Sequence, residues 1–325
     1  MQSTPKVSVI IITYQRAQGL VELVKQIKST FRPDTEILIS INGDDSHTEL
    51  ELQKIENIYF EKIQSTTPAR ARNLLAKKAS GDYILFLDDD ISLSKNYYQN
   101  LISHLNNNVD VIGGPDQTPH NSSFFAKVLG NTLKSPFSTA HTLFRHARTR
   151  ITSNVDENRL ILCNFCIKKD IFNKFQFDEY FYRNEENVLI HQLQDYNLIY
   201  DPYLFVYHER KSHPFKLIRA IFNSAFFRAQ SFKLYPKSIQ IIYFVPSITL
   251  LLLLFLPSLS VKTVFASIFL SASLLSSIII AGLIQAPFAL IYQIIINITY
   301  AIGFIYGLCK KLPNEKKWKT QSIKS

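Results

Sequence analysis

The last third of the chain sets the tightest limit on what it can fold into. From position 238 it carries three long apolar stretches, 239–257, 263–284 and 287–309, and none of them contains Asp, Glu, Lys or Arg. At 1.5 Å of rise per residue, about 20 residues of helix match a ~30 Å hydrocarbon core. A helix packed on a soluble core keeps a polar face, and these stretches have none. They predict three membrane-spanning helices, with Pro246 and Pro287 starting or kinking helices.

Charge divides the chain at the same place. Residues 1–209 hold 22 Lys and Arg against 25 Asp and Glu, whereas 210–325 hold 14 against the single acid Glu315. The net +10 therefore belongs to the apolar end. A nucleic-acid reader would carry its positive charge on the folded reader, so no nucleic-acid partner is expected. Basic residues flanking apolar spans fit a membrane protein, with membrane lipids as partners. Between them, 215–235 has apolar residues at helical spacing, interrupted by Lys216, Arg219, Arg228 and Lys233. That pattern predicts an amphipathic helix lying in the headgroup plane with its basic side toward anionic lipid. The layout is then a domain over 1–210, an interfacial helix over 211–237, transmembrane helices over 238–309 and a basic tail over 310–325. Met1 to Lys6 is polar and offers no signal segment, so the first domain is expected on the cytoplasmic side of the inner (plasma) membrane, in a multi-pass protein. Three crossings would put the basic tail outside, against the positive-inside rule.

Residues 7–113 alternate strand-like and helix-like runs. VSVIIIT at 7–13 is a continuous apolar run of strand length; 36–41, 83–87 and 109–112 read as further strands, and 20–27, 69–79 and the region of Leu101 as helices. This is an α/β pattern: a parallel sheet covered on both faces, with ligands outside the carboxyl ends of the strands. Those ends carry Thr13 and Tyr14, then Asn42-Gly43-Asp44, then Asp88-Asp89-Asp90. Neither common glycine-rich phosphate loop is present. Cys163-x-x-Cys166 has no second pair to complete a zinc site, so it reads as two buried thiols.

Three adjacent carboxylates repel one another. Placed after a buried strand in the ligand crevice, they predict a site for a divalent cation, Mg²⁺ or Mn²⁺, held by one or two carboxylates together with substrate phosphates. Asp88 and Asp90 are the alternate pair that can converge, with Asp89 pointing away.

In order along the chain, VSVIIITYQR, Asn42-Gly43-Asp44-Asp45-Ser46, Ala71-Arg72-Asn73, the block from Gly81 to Asp90 (GDYILFLDDD), Phe177-Asp178-Glu179 and Glu185-Glu186 resemble the family 2 glycosyltransferases. The resemblance runs from Val7 to about His208. It implies the GT-A fold, a Rossmann-like mixed sheet, and inverting transfer from a nucleotide-sugar donor to a lipid-linked or polysaccharide acceptor. It places Thr13, Tyr14, Arg16, Asn42, Arg72, Asp88 and Asp89 at the nucleotide-sugar. It places Asp90, with Asp88 and His208, at the metal, and Glu186 at the general base with Glu185 as the alternative. The segment after 210 is similar to that of membrane-bound members that build exopolysaccharide. Processive synthases carry a Q-x-x-R-W motif before their membrane helices; the one Trp here is Trp318, in the tail. A non-catalytic assembly factor on the same fold is disfavoured by intact Asp88, Asp90 and the acidic pair. The segment 116–159 fits the family poorly. It holds six Lys and Arg, from Lys127 to Arg159, and is expected to receive an acidic acceptor.

Overall fold

A computed structural model describes residues 4–210, 213–238 and 240–312. The basic tail beyond 312, with Trp318, lies outside the described residues. In chain order the elements are β1 (Val7–Thr13), α1 (Ala17–Thr30), β2 (Glu36–Asn42), α2 (Ser46–Leu52), β3 (Tyr59–Ile63), α3 (Pro68–Lys78), β4 (Tyr83–Asp88), β5 (Ile91–Leu93), α4 (Tyr97–Asn106), β6 (Val111–Gly113) and β7 (Asp116–Gln117). There follow α5 (Phe124–Thr132), α6 (Pro136–Thr139), β8 (Thr152–Ser153), β9 (Asn164–Lys168), α7 (Lys169–Phe175), α8 (Glu185–Gln192), β10 (Leu198–Tyr200), β11 (Val206–His208), α9 (Pro214–Leu234), α10 (Val245–Phe255) and α11 (Leu259–Cys309).

The main sheet has the order β3-β2-β1-β4-β9-β6-β10-β8. Strands β1 to β4 are mutually parallel, and β9 is inserted antiparallel between β4 and β6. The sheet is therefore mixed. Because alternate side chains leave a strand on opposite faces, the apolar run of β1 feeds two cores. Val7, Val9 and Ile11 pack with Leu20, Leu23, Val24 and Ile27 of α1. Ile10 packs on the other face with Leu38, Leu75 and Phe86. Full burial of each such side chain is worth about 1.5–3 kcal/mol. A second ladder, β5-β11-β7, stands beside the sheet and brings His208 next to the acids that follow β4.

The apolar third differs from three separate spans. After a 3₁₀ turn at Ile241–Phe244, the first stretch forms an 11-residue α10, opened by Pro246 and ended at Leu256 before Pro257. At 1.5 Å per residue that is about 16 Å, short of a bilayer. The other two stretches form two helical arms, numbered together as α11, that meet at the non-helical Gly282 (φ 78°, ψ 166°). The bend folds the helix back, so that Gln293 Nε2 donates to Ser277 Oγ at 3.0 Å. Among the described residues α11 is the one helix long and apolar enough to cross a membrane.

Helix α9 is not a free interfacial helix. It lies between the α/β domain and the second arm of α11. Tyr180 donates to Gln230 Oε1 (3.0 Å), Asn184 to the carbonyl of Ser224 (2.8 Å), and Gln230 Nε2 to the carbonyl of Gly307 (2.5 Å). Lys216 and Arg219 are exposed, but Arg228 is buried, 4.3 Å from the Tyr243 ring and 4.0 Å from Glu157. Its charge faces protein rather than lipid.

Candidate active site

The carboxyl end of β4 and the N-terminus of α8 are joined by one side chain. Thr67 caps α3 by accepting from the backbone N–H of Arg70, and Pro68 occupies the first turn, where a missing N–H costs nothing. The next turn points Arg72 inward. Its Nη2 donates to Asp88 Oδ1 (2.9 Å) and its Nη1 to Glu185 Oε1 (2.7 Å). Arg72 and Glu185 are both buried, whereas Asp88 stays about a third exposed. Burial raises Glu185 to about 7; Arg72 opposes the rise and the neighbouring Glu186 adds to it.

Glu186, also buried, turns to a different partner, accepting from Arg145 Nη1 at 3.1 Å. Arg145 is anchored in turn by the carbonyl of Glu157 and by Asn187 Oδ1.

Of the three adjacent acids, Asp88 goes to Arg72, while Asp89 and Asp90 share Arg16 Nη1. Asp90 Oδ2 pairs with Arg16 Nη1 at 2.7 Å, and Asp90 Oδ1 lies 3.1 Å from His208 Nε2. On the far side of that ring, Nδ1 is 3.1 Å from Asp116 Oδ2. Asp116 also receives Arg210 (2.6 Å) and His146 Nδ1 (2.5 Å). Burial disfavours the Asp116 carboxylate, but Arg210 and His146 outweigh it and hold it well below the usual carboxylate range. Burial likewise opposes charge on His208, and hydrogen bonds to Asp116 and Asp90 hold it well above the usual histidine range.

Asp89 departs from expectation. It is buried and accepts from Thr13 Oγ1 (2.7 Å) and Arg16 (2.5 Å). The Thr13–Asp89 hydrogen bond fastens β1 to the end of β4, and Asp89 lines the same pocket as Arg16 and Asp90. Asn42 is also occupied. Its Nδ2 donates to the carbonyl of Thr66 (3.0 Å) and its Oδ1 accepts from the Thr66 N–H (2.9 Å), so this amide shapes a loop. Tyr14 is half exposed, with its ring 3.5 Å from the place a Cβ on Gly43 would take. Gly43 has φ 116°, a conformation that favours glycine. Cys163 and Cys166 are free, buried thiols as expected.

The residues present fit a divalent cation. Asp90 and His208 converge on one point from different elements, and the outer carboxylate Asp116 orients the ring, the usual arrangement behind a metal-bound histidine. Asp116, Cys163 and His208 also cluster within 4.8 Å. Mg²⁺ and Mn²⁺ favour hard oxygen donors over a soft thiol, so Asp90 with His208 is a better pair than one that uses Cys163.

Residues 8–174 match the model of glycosyl transferase family 2, just over half of the chain. The chain belongs to glycosyltransferase family 2. It is 30% identical over 213 residues to the minor teichoic acid biosynthesis protein GgaB of Bacillus subtilis, covering 59% of this chain and 22% of that protein. It is 23% identical over 198 residues to the GalNAc(5)-diNAcBac-PP-undecaprenol beta-1,3-glucosyltransferase of Campylobacter jejuni, covering 57% of this chain and 59% of that one. The chain thus spans less than two thirds of the length of either relative. The structure of the mannosyltransferase PcManGT from Pyrobaculum calidifontis, in complex with GDP-Man and Mn²⁺, superposes with a TM-score of 0.57 at 14% identity, over 95% of this chain and 88% of that one. That likeness establishes the GT-A-type mixed α/β fold.

Sequence reasoning missed Asp116, His146, Arg210 and Arg145. Arg210 carried one faint signal, since it follows His208 in the same His-Glu-Arg run. Arg145 stood in the basic segment that no family motif explained.

Proposed function

We propose that this family 2 enzyme is a membrane-anchored, inverting glycosyltransferase. It moves a sugar from a nucleotide-sugar to a lipid-linked or polysaccharide acceptor in cell-surface polysaccharide synthesis, with its catalytic domain on the cytoplasmic face. The observation that supports this reading best is the Arg72 bridge, which joins Asp88 at the end of β4 to Glu185 of the acidic pair that opens α8. Relatives named for teichoic acid synthesis and for an undecaprenol-linked acceptor support the acceptor class. The apolar helix α11 supports the anchor.

In this reading Glu186 is the general base. Glu185 is committed to Arg72, whereas Glu186 takes one hydrogen bond from Arg145, leaving lone pairs for an acceptor hydroxyl. Glu186 accepts that proton as the acceptor oxygen bonds to the anomeric carbon. The bond to the nucleoside diphosphate breaks on the opposite face, which inverts the centre. Asp90 and His208 would hold Mn²⁺ or Mg²⁺, which when bound neutralises charge on the departing diphosphate. Mn²⁺ beside GDP-Man in the Pyrobaculum structure supports that choice. Arg16 and the exposed Tyr14 border the nucleotide. The test is to screen the full chain in detergent against a panel of nucleotide-sugars, with Mn²⁺ and with chelator. Metal-dependent release of one nucleoside diphosphate is expected; no turnover with any donor would refute the reading.

A further inference from the structure

A pocket of about 310 Å³ opens where α5 meets the bend of α11. That is the small end of the ~300–1,000 Å³ typical of small-molecule sites. Lys127, Lys134, Arg148 and His120 line it, with Asn131 and Gln285, and no carboxylate does. Among the described residues, Lys127, Lys134 and Arg148 form no ion pair. Arg148 donates to the carbonyl of Pro202 (3.0 Å) and lies 4.4 Å from the Phe205 ring. The nearby acid Asp116 is already taken by Arg210, His146 and His208. Lys134 is held below the usual lysine range by burial first and by Arg210 second. Cations left partly buried without a counter-charge are costly unless an anion joins them.

Two elements that line the pocket, α5 and α11, also carry an exposed apolar and aromatic patch. Phe124 and Phe125, on the first turn of α5, meet Phe288 of α11 edge to face at 5.6 and 5.7 Å. All three are exposed, and beside them Leu283 and Ile284 are 75% and 81% exposed. Asn131 donates to Gln285 Oε1 (3.0 Å), tying α5 to the bend and leaving the Gln285 NH₂ without a partner among the described residues. Cationic interior and apolar patch are thus built on the same two elements, one of them the membrane-spanning candidate. A free anion would need the first and not the second.

We propose that this pocket binds the phosphate or diphosphate headgroup of a membrane lipid, with the lipid chain lying over Phe124, Phe125 and Phe288. The site would hold such a lipid whether or not that lipid is the sugar acceptor, and its test needs no sugar transfer, so failure here leaves the transferase reading standing.

The test is equilibrium binding to the full chain in detergent micelles, with EDTA and no nucleotide present. The probes are farnesyl diphosphate, farnesol, dioleoylphosphatidylglycerol and inorganic pyrophosphate. Wild type and Lys127→Ala/Lys134→Ala are compared with the charge-keeping Lys127→Arg/Lys134→Arg pair and with Arg148→Gln. Arg148 is exposed, so its replacement tests the pocket even where the double alanine variant fails to fold. Charge-assisted contacts of this kind predict about a tenfold or greater loss of affinity in the alanine pair, a smaller loss in Arg148→Gln and retention in the arginine pair. Such a loss for farnesyl diphosphate identifies a prenyl diphosphate, and one confined to phosphatidylglycerol identifies a bilayer phospholipid; either supports the site. Equal affinity for both lipids across wild type, the alanine pair and Arg148→Gln overturns it. Variant-sensitive pyrophosphate binding as tight as that of the lipids overturns the lipid assignment.

Discussion

Arg145 Nη1 holds Glu186 Oε1 at 3.1 Å, so the acid assigned as general base is positioned by an arginine from the basic segment between β7 and β9. The neighbouring acid is held by Arg72 from another element. Glu186→Gln keeps the shape and the Arg145 contact but accepts no proton. General-base catalysis contributes typically ~10²–10⁴-fold, so kcat is expected to fall by that range with little change in donor affinity. Glu185→Gln is expected to cost less in kcat. A larger kcat loss in Glu185→Gln would move the base to Glu185; near-normal turnover in both would remove this pair from the mechanism.

Glu185 gives a prediction about pH. Its folded pKa is raised from 4.5 to about 7, chiefly by burial. The folded chain therefore binds this proton more tightly than the unfolded chain. The stability it contributes is present in full below its unfolded pKa and is lost as pH rises through about 7. Glu185→Gln stays neutral throughout. The Tm of the variant relative to wild type is expected to climb between pH 4.5 and 7 in ligand-free protein. A difference that stays flat across that window contradicts the assignment.

The sequence made β1, β2 and β4 legible because each is a strand-length apolar run, and Asp88 and Asp90 legible because they end or follow such a run; Glu185 and Glu186 were legible only through the family resemblance. Antiparallel β9 was not legible. Its NFCIK core reads like any buried run, and strand direction depends on where the chain has come from. The uses of Thr13, Asp89 and Asn42 were hidden for a related reason. A residue type at a strand end says that a polar group is there, not whether protein or ligand answers it. Asp89 and Thr13, 76 positions apart, answer each other. The membrane part was legible as apolar composition, and the two helices expected over 263–284 and 287–309 are the arms that meet at Gly282; the shortness of α10 was not legible.

Asp90 and His208 are predicted to govern metal affinity. Asp90→Asn should abolish metal-dependent turnover while leaving the unfolding curve of the apo protein close to wild type, and His208→Ala should weaken Mn²⁺ binding. Asp116→Asn removes the carboxylate that orients the ring. Loss of such an outer partner typically costs about 10–100-fold in metal affinity or activity. Titration with Mn²⁺, followed by the resonance of the free ion, measures all three, and wild-type affinity in Asp90→Asn would exclude this pair as the ligands.

Asp89 is predicted to act through stability. It accepts from Thr13 and Arg16, and burial outweighs both partners in raising its pKa. Asp89→Ala leaves a buried hydroxyl unanswered and frees the Arg16 side chain. The expected cost is about 1–3 kcal/mol, read as a lower Tm. Arg16 also loses one of the two carboxylates that fix it, so donor KM should rise more than kcat falls. A kcat loss as deep as that of Asp90→Asn, with Tm unchanged, would show that Asp89 faces the reaction directly.

The packing of α9 on α11 gives the last prediction. Gly303 and Gly307 lie one helical turn apart on the face of α11 that meets α9. A Cβ on Gly307 would stand 2.7 Å from the carbonyl oxygen of Phe226 and 2.8 Å from Cβ of Ala229; one on Gly303 would stand 2.6 Å from the carbonyl oxygen of Phe222. The obstacles are backbone atoms and a short alanine, so no flexible side chain can swing aside. Small residues at this spacing let two helices approach at backbone contact, as at many membrane helix crossings. Gly307→Val must push α9 and α11 apart, which overpacking puts at about 1–3 kcal/mol. The effect should reach the α/β domain, because Gln230 of α9 links Gly307 to Tyr180, and Asn184, next to Glu185, is tied to Ser224 of the same helix. Gly307→Val is therefore expected to lower both the Tm and kcat of the full chain in detergent, with Gly307→Ala intermediate. Val at the exposed Ile302 of the same helix serves as the control and should change neither. A Gly307→Val protein with wild-type Tm would show that α9 and α11 do not cross at this contact.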